Sequence, residues 1–427
     1  MQPLSEDRLR TVPWHALAGL APALDAPLTD VLAGVPAERV LDRLLRDRRG
    51  LDAAGRAAMA EAVFGVGLWR RRLRAQLGDP AAGPRLLVGA LLRDLAGRAD
   101  AEALAGLEPG ALPPPRPPPV ELGDRASLPD WLVAELHAAV GPRAAALADA
   151  LNLPGPVALR ANRLRTDRDA LAGLLRAEGV ETRPSELAPD GLVATSPRPN
   201  VLGLSAHREG LFEVQDEASQ LAGSAVGARE GEEVLDLCAG AGGKALLLAA
   251  AVGPRGRVHA TDVDPARLDR LCARAERAGC AGAITVHGAA PPPGLRVQRV
   301  LVDAPCSELG ALRRGPDQRW RIDPAGFAAL PALQGELLAR AAAHVASGGR
   351  LVYATCTFRA EEDETVAEAF EDAHPDFLRV VPDVEHAAAR LGGLGALVTP
   401  DGFVRTWPHR HGADGFFVAA WRRERGT

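Results

Sequence analysis

Two short segments of the 427-residue chain carry side chains able to make and break covalent bonds. One is Val302-Asp303-Ala304-Pro305-Cys306-Ser307, the other Tyr353-Ala354-Thr355-Cys356-Thr357-Phe358. Each places a cysteine just past an apolar, strand-like run. The thiolate is the reactive form of cysteine, and a helix N-terminus or a nearby cation lowers its pKa, so Cys306 and Cys356 are candidate nucleophiles. A lone cysteine is more often a small buried hydrophobe, and Cys272 and Cys280 are read that way, on one helix. Cys238 reads as pocket wall. The five cysteines are odd in number and lack C-x-x-C spacing. That argues against a disulfide framework or a zinc site and favours free thiols in a reducing cytoplasm, with no metal.

A third segment, Asp236-Leu237-Cys238-Ala239-Gly240-Ala241-Gly242-Gly243-Lys244, follows another strand-like run. Glycines there let the backbone approach a ligand closely and open a helix N-terminus. Cys238, Ala239, Gly240, Ala241, Gly242, Gly243 and Lys244 are therefore candidate cofactor residues. Asp262, roughly 20 residues further on, can accept ribose hydroxyls. The loop alone does not separate a nicotinamide cofactor from S-adenosylmethionine, since both carry such a ribose. It is not a phosphate-binding P-loop, because Ala245 stands where a Ser or Thr must hold magnesium. Lys244 is the only lysine among 50 basic residues. Its place beside the loop is suggestive, although chance placement in an arginine-biased chain is the bland explanation.

These groups require a scaffold, and the surrounding periodicity supplies one. Strand-like Val234–Leu237, Arg257–Asp262, Val300–Asp303 and Arg350–Ala354 alternate with apolar helices over Ala245–Val252 and Pro265–Ala278. Such alternation predicts an α/β, doubly wound and mostly parallel sheet that binds ligands at the carboxyl ends of its strands. Asp236, Asp262, Asp303 and Thr355-Cys356 all fall at those ends. Upstream, 127–215 reads as a small α+β subdomain, and 111–126, which contains Pro113–Pro119, as an extended proline-rich linker. Residues 1–110 read as helices with no strand signal, including Val40-Leu41-Leu44-Leu45 and Ala58-Met59-Ala62-Val63-Val66. The Arg70–Arg74 stripe there is expected to be a solvated helix face. No signal-peptide core and no membrane-length apolar run is present.

Asp-Ala-Pro-Cys-Ser with the trailing Arg313-Arg314-Gly315-Pro316-Asp317, and Ala-Thr-Cys-Thr before Glu361-Glu362-Asp363, closely resemble the motifs of the Sun-type RNA cytosine-C5 methyltransferases, nearest the RsmB-like branch. Phe212-Glu213-Val214-Gln215-Asp216-Glu217-Ala218-Ser219 and Asp414-Gly415-Phe416-Phe417 extend the resemblance over nearly the whole chain. It implies a Rossmann-like methyltransferase domain over 216–427, S-adenosylmethionine as cofactor, and a NusB-like RNA-binding domain over 1–110. It also implies roles. Cys356 would add to cytosine C6, and Cys306 would assist loss of the C5 proton and enzyme release. Asp303 would hydrogen-bond the base edge beside the cofactor, and Asp262 would hold the ribose.

The implied partner is RNA, small-subunit ribosomal RNA before transfer RNA, engaged by a monomer. The net charge of −5 does not advertise a nucleic-acid binder, but local basic clusters can serve one. Arg160 and Arg163, and Arg313, Arg314 and Arg319 around Trp320, are candidate RNA contacts; a charged loop is the bland alternative. Three departures from the family pattern stand out: Gly288-Ala289-Ala290 where an acidic residue usually meets the adenine, Gly240-Ala241 where Ala-Pro is common, and Asp363 where Asn is common. Two other classes stay open. A nicotinamide oxidoreductase would leave both cysteines idle, and a catalytically decayed RNA-binding assembly factor would explain Ala289 but not the intact cysteines and aspartates.

Overall fold

The computed structural model describes residues 5–196, 199–315 and 317–425. Two compact units result, Met1–Pro154 with Leu312–Pro324, and Gly155–Ala311 with Ala325–Thr427. Pro316 of the Arg-Arg-Gly-Pro-Asp motif lies outside the described residues.

The first unit is helical, with no strand among its described residues. Its longest helix, Ala53–Leu77, starts where the Asp52 side chain accepts the Gly55 N–H and stops at Gly78 in a left-handed conformation. Ala58, Met59, Ala62, Val63 and Val66 recur at helical spacing and are all fully buried, which is why this helix forms the centre of the unit. The arginine stripe departs from expectation. Arg71 donates to Asp124, Asp130 and the Leu128 carbonyl, Arg72 is buried, and the Arg70 guanidinium lies 4.2 Å from the centre of the Trp320 ring. These groups hold the unit together instead of facing solvent. Helices Asp130–Val140 and Ala144–Leu151 pack in this unit, where Arg125 pairs with Asp149 and Asn152 donates to the Ala126 carbonyl.

The second unit begins with a small antiparallel sheet: β1 (Ala158–Ala161), β2 (Thr182–Pro184), β3 (Gly191–Ala194) and β4 (Phe212–Val214), in the order β2-β3-β1-β4. Helix Arg168–Ala177 covers it, Leu171 and Leu175 packing with Leu159, Leu192 and Phe212.

The large sheet follows, with β5 (Glu233–Asp236), β6 (Arg257–Ala260), β7 (Ile284–Val286), β8 (Val297–Asp303), β9 (Val345–Thr355), β10 (Phe377–Arg379), β11 (Val404–Thr406) and β12 (Phe416–Arg423). Its order is β10-β12-β9-β8-β5-β6-β7, with β11 also on β12. Strands β5 to β9 pair in parallel, whereas β12 runs antiparallel to β9. The expected α/β Rossmann-like fold is present, and β10 to β12 extend it beyond what the sequence pattern displayed. The chain winds outward from β5 to β7 and then returns to β8 beside β5. Sheets of this kind bind ligands beside such a reversal, and Asp236 and Asp303 end the two strands that flank it. Cys272, expected in the core, is exposed on helix Pro265–Ala278, while Cys280 is buried just beyond the helix's Gly279 cap. No helix among the described residues is long and apolar enough to cross a membrane.

Candidate active site

The glycine loop joins β5 to helix Gly243–Val252. Gly240 and Gly242 have φ of +54° and +90°, the left-handed region that L side chains avoid. They serve different ends. A Cβ on Gly242 would lie 2.8 Å from Leu271 Cγ, so packing demands glycine there; a Cβ on Gly240 meets nothing within 4 Å, which leaves clear space above the loop. Asp262 holds the loop, its Oδ2 accepting the Gly240 N–H at 2.9 Å and its Oδ1 the Asp264 N–H at 2.8 Å. Each oxygen keeps a second lone pair for a ribose hydroxyl.

Asp236 lies under the loop, fully buried, and neither of its carboxylate oxygens has a hydrogen-bond partner. Burial pushes its pKa up to about 7; Asp303 adds to the effect, Lys244 opposes it, and Asp262 adds again. A buried, unpartnered acid suits a ligand that carries positive charge. S-adenosylmethionine, with a sulfonium next to its ribose and an ammonium on its methionine end, fits the acids present. Lys244, read from sequence as a cofactor residue, is turned elsewhere. Its Nζ lies 2.7 Å from Asp303 Oδ2 and 5.1 Å from the centre of the Phe416 ring, buried but for 6% of its surface.

The parallel register of β8 with β9 sets Asp303 opposite Ala354, and the Ala304 N–H donates to the Ala354 carbonyl at 2.9 Å. Two loops leaving adjacent strand ends therefore bring both cysteines together, Cys306 Sγ and Cys356 Sγ being 3.3 Å apart. The Cys356 N–H also points to Cys306 Sγ at 3.3 Å. The expectation of a lowered thiol pKa does not hold for Cys356. Hydrogen bonding to Cys306, then burial, then the negative charge of Cys306 and Asp303 hold its thiol well above the ordinary range. Cys238 is likewise held far above the ordinary thiol range, by burial and by Asp236, Asp303 and Asp262, which agrees with a wall residue.

Sequence reasoning missed the groups that brace these loops. Glu362, fully buried, accepts the Ser307 N–H at 2.9 Å and the Gln334 side chain at 3.0 Å, and Gln334 also donates to the Pro305 carbonyl. Ser307 and Thr357 share a hydroxyl hydrogen bond of 2.7 Å, tying one cysteine loop to the other. Asp363 accepts from Thr355 and pairs with Arg405 at 2.9 Å; burial nevertheless pushes its pKa up to about 8. Glu308, next to Ser307, takes φ of +57°, a strained conformation for a non-glycine residue. The Glu361-Glu362-Asp363 run was the only sequence signal for this brace.

The candidate RNA arginines divide. Arg160 is buried, donating to the Gly243 carbonyl at 2.7 Å and to Gln215, so it ties the small sheet to the cofactor helix and does not face a phosphate. Arg319 is fully buried and Arg313 nearly so, which likewise removes them from the surface. Arg163 and Arg314 are exposed.

Residues 224–422 match the family model described as 16S rRNA methyltransferase RsmB/F, and residues 128–200 match the ferredoxin-like domain of RsmF/B-like methyltransferases. The probable ribosomal RNA small subunit methyltransferase B of Synechocystis is 35% identical over 307 residues, covering 70% of this chain and 68% of that protein. The probable enzyme of the same name from Bacillus subtilis is 33% identical, covering 71% and 68%. Among solved structures, PH0851 superposes with a TM-score of 0.76 at 25% identity, covering 96% of this chain and 99% of that one.

Proposed function

The chain belongs to the RsmB/F family of S-adenosylmethionine-dependent ribosomal RNA methyltransferases, and from that premise we propose that it methylates C5 of a cytosine in small-subunit ribosomal RNA through a covalent adduct of Cys356. The observation that carries this reading is the pair of thiols 3.3 Å apart beside Asp303 at the ends of β8 and β9. Cytosine C5 is a poor nucleophile until a group adds at C6, and a positioned thiol is suited to that addition. When bound, the cofactor supplies an electrophilic methyl group on a positively charged sulfur.

The chain's residues divide the remaining work. Cys356 gives up its proton and its sulfur bonds to C6, which moves electron density onto C5. Asp303, held by Lys244 at 2.7 Å, accepts a hydrogen bond from the base edge and stabilises positive charge on the ring. After methyl transfer, Cys306 takes the C5 proton; the C5–C6 double bond re-forms and the Cys356–C6 bond breaks. Cys356 passes its proton to solvent before the attack, which leaves Cys306 Sγ, 3.3 Å from Cys356 Sγ, to accept the C5 proton in the later step. The base must leave its stack to reach these atoms. Exposed Arg163 and Arg314 are assigned to backbone phosphates, and the helical first unit acts as a NusB-like RNA-binding domain.

The test uses unmodified small-subunit ribosomal RNA, transfer RNA and methyl-labelled S-adenosylmethionine, followed by digestion to nucleosides. Label in 5-methylcytidine from ribosomal RNA alone is the expected result. Label in transfer RNA instead would move the substrate, and label in any other nucleoside would overturn the chemistry.

A further inference from the structure

Three of the four residues Gly240–Gly243 are glycine, the residue with the most conformational freedom to lose when a loop is ordered. Such a loop binds a ligand well only if other groups have already fixed its backbone. Asp262 does part of this by accepting the Gly240 N–H at 2.9 Å. Two of the loop's carbonyls are held by guanidiniums. Arg274, on helix Pro265–Ala278, donates through Nη1 to the Ala241 carbonyl at 2.7 Å. Arg160, on β1, donates to the Gly243 carbonyl, also at 2.7 Å. The two grips flank Gly242, whose φ is +90°.

Arg274 is itself oriented by a buried acid, Glu213 of β4. Alternation along the strands of the small sheet explains how. Leu159, Ala161 and Phe212 pack with helix Arg168–Ala177, so Arg160 and Glu213, paired across β1 and β4, share the opposite face. Glu213 is only 4% exposed. Its Oε2 accepts from Arg274 Nε at 3.1 Å and from Nη2 at 2.8 Å, and its Oε1 accepts from Arg277, one turn further along the same helix. Burial alone would raise the Glu213 pKa; the two guanidiniums outweigh it and hold the carboxyl below its usual range. With Nε and Nη2 on the carboxylate, the planar guanidinium leaves Nη1 aimed at Ala241, an orientation that a point-like ammonium would not fix.

We propose that Arg274, oriented by Glu213, is a positioning residue for S-adenosylmethionine: its hydrogen bond to the Ala241 carbonyl orders the glycine loop before the cofactor arrives. Arg160 supplies the second grip, at Gly243. The small antiparallel sheet thus serves cofactor binding, through one residue on β1 and one on β4. The inference rests on the cofactor of the family and is independent of which base receives the methyl group.

The test compares full-length wild type with Arg274→Ala and Arg277→Ala. Arg277→Ala removes a cation from the same acid but leaves Arg274 on the loop. Three quantities are read: the S-adenosylmethionine Kd by calorimetry, amide exchange of residues 239–244 in cofactor-free protein, and the single-turnover methylation rate at saturating cofactor. Arg274→Ala is expected to raise the Kd roughly tenfold, the worth of one hydrogen bond to a charged group. It should also speed exchange in the loop several-fold, with the saturated rate within about twofold of wild type. Arg277→Ala should leave the Kd within about twofold. An unchanged Kd or unchanged loop exchange in Arg274→Ala would overturn the proposal. So would an equal rise in Kd in Arg277→Ala, which is the signature of a general loosening. If Arg274→Ala does not fold, Arg274→Lys keeps the charge and loses the planar fork, and the same three readings decide. Absence of S-adenosylmethionine binding in the wild type would instead strike the family's cofactor; the exchange measurement, made without it, still decides whether Arg274 orders the loop.

Discussion

Asp236 offers the sharpest quantitative test of the cofactor pocket, through Asp236→Asn. An ordinary aspartate ionises near 3.8, whereas burial raises Asp236 to about 7. The folded protein therefore keeps a proton that the unfolded chain releases, and stability contributed by that proton is present below pH 4 and lost as pH rises to about 7. The loss amounts to roughly 4 kcal/mol, of which roughly 3 kcal/mol falls between pH 5 and pH 8. Asparagine does not titrate, so the variant's melting temperature relative to wild type should climb by several degrees over that interval, at roughly 2–4 °C per kcal/mol. Thermal unfolding at several pH values measures it, and differencing cancels every other titrating group. A cationic ligand favours the ionised acid. Wild-type affinity for S-adenosylmethionine should therefore rise from pH 6 to pH 8, and the variant's should stay flat and weaker. A melting difference that is constant with pH would refute the reasoning, because it would mean that Asp236 is ionised throughout.

Other outcomes follow from the same geometry. Gly240→Ala and Gly242→Ala should separate ligand space from packing. Gly242→Ala destabilises the fold by more than 1 kcal/mol (roughly 1–3 kcal/mol for overpacking alone), whereas Gly240→Ala costs about 1 kcal/mol and chiefly weakens S-adenosylmethionine binding; calorimetry with thermal melts tells them apart. Asp303→Ala should lower the methylation rate at least a hundredfold while changing cofactor Kd severalfold at most, and equal losses in both would show that its partner is not the base. Because the Cys356 thiol is held above its usual range, the methylation rate should rise about tenfold per pH unit from pH 6 to pH 8 with no plateau; a plateau near pH 7 would contradict the raised thiol.

The four strand-end groups were legible because each lies a fixed step beyond a local apolar run, and a parallel sheet brings such ends to one edge. Periodicity recovered the helix Pro265–Ala278 and the cysteine loops for the same reason. Long-range pairing was not legible. Strand β12 joins the sheet beside β9 through contacts that no local pattern announces. The arginines illustrate the limit best. Arg319 sits in a basic, aromatic-bearing stretch that reads as an RNA contact, yet its partner Asn152 lies 167 residues earlier, and that pairing buries it. The Cys356 thiol pKa went the same way. Sequence located the residue, but the sulfur 3.3 Å away that sets its acidity becomes visible only when β8 and β9 are side by side.

The central claim is the division of labour between the two thiols, and the most direct test compares Cys356→Ala with Cys306→Ala on unmodified small-subunit ribosomal RNA. Both variants are incubated with methyl-labelled S-adenosylmethionine and resolved on denaturing gels. Cys306→Ala should accumulate a denaturation-stable protein–RNA adduct, because methyl transfer occurs but release does not, and Cys356→Ala should form neither adduct nor product. Methylation by Cys356→Ala, or an adduct in that variant alone, would contradict the account and assign the nucleophile to Cys306.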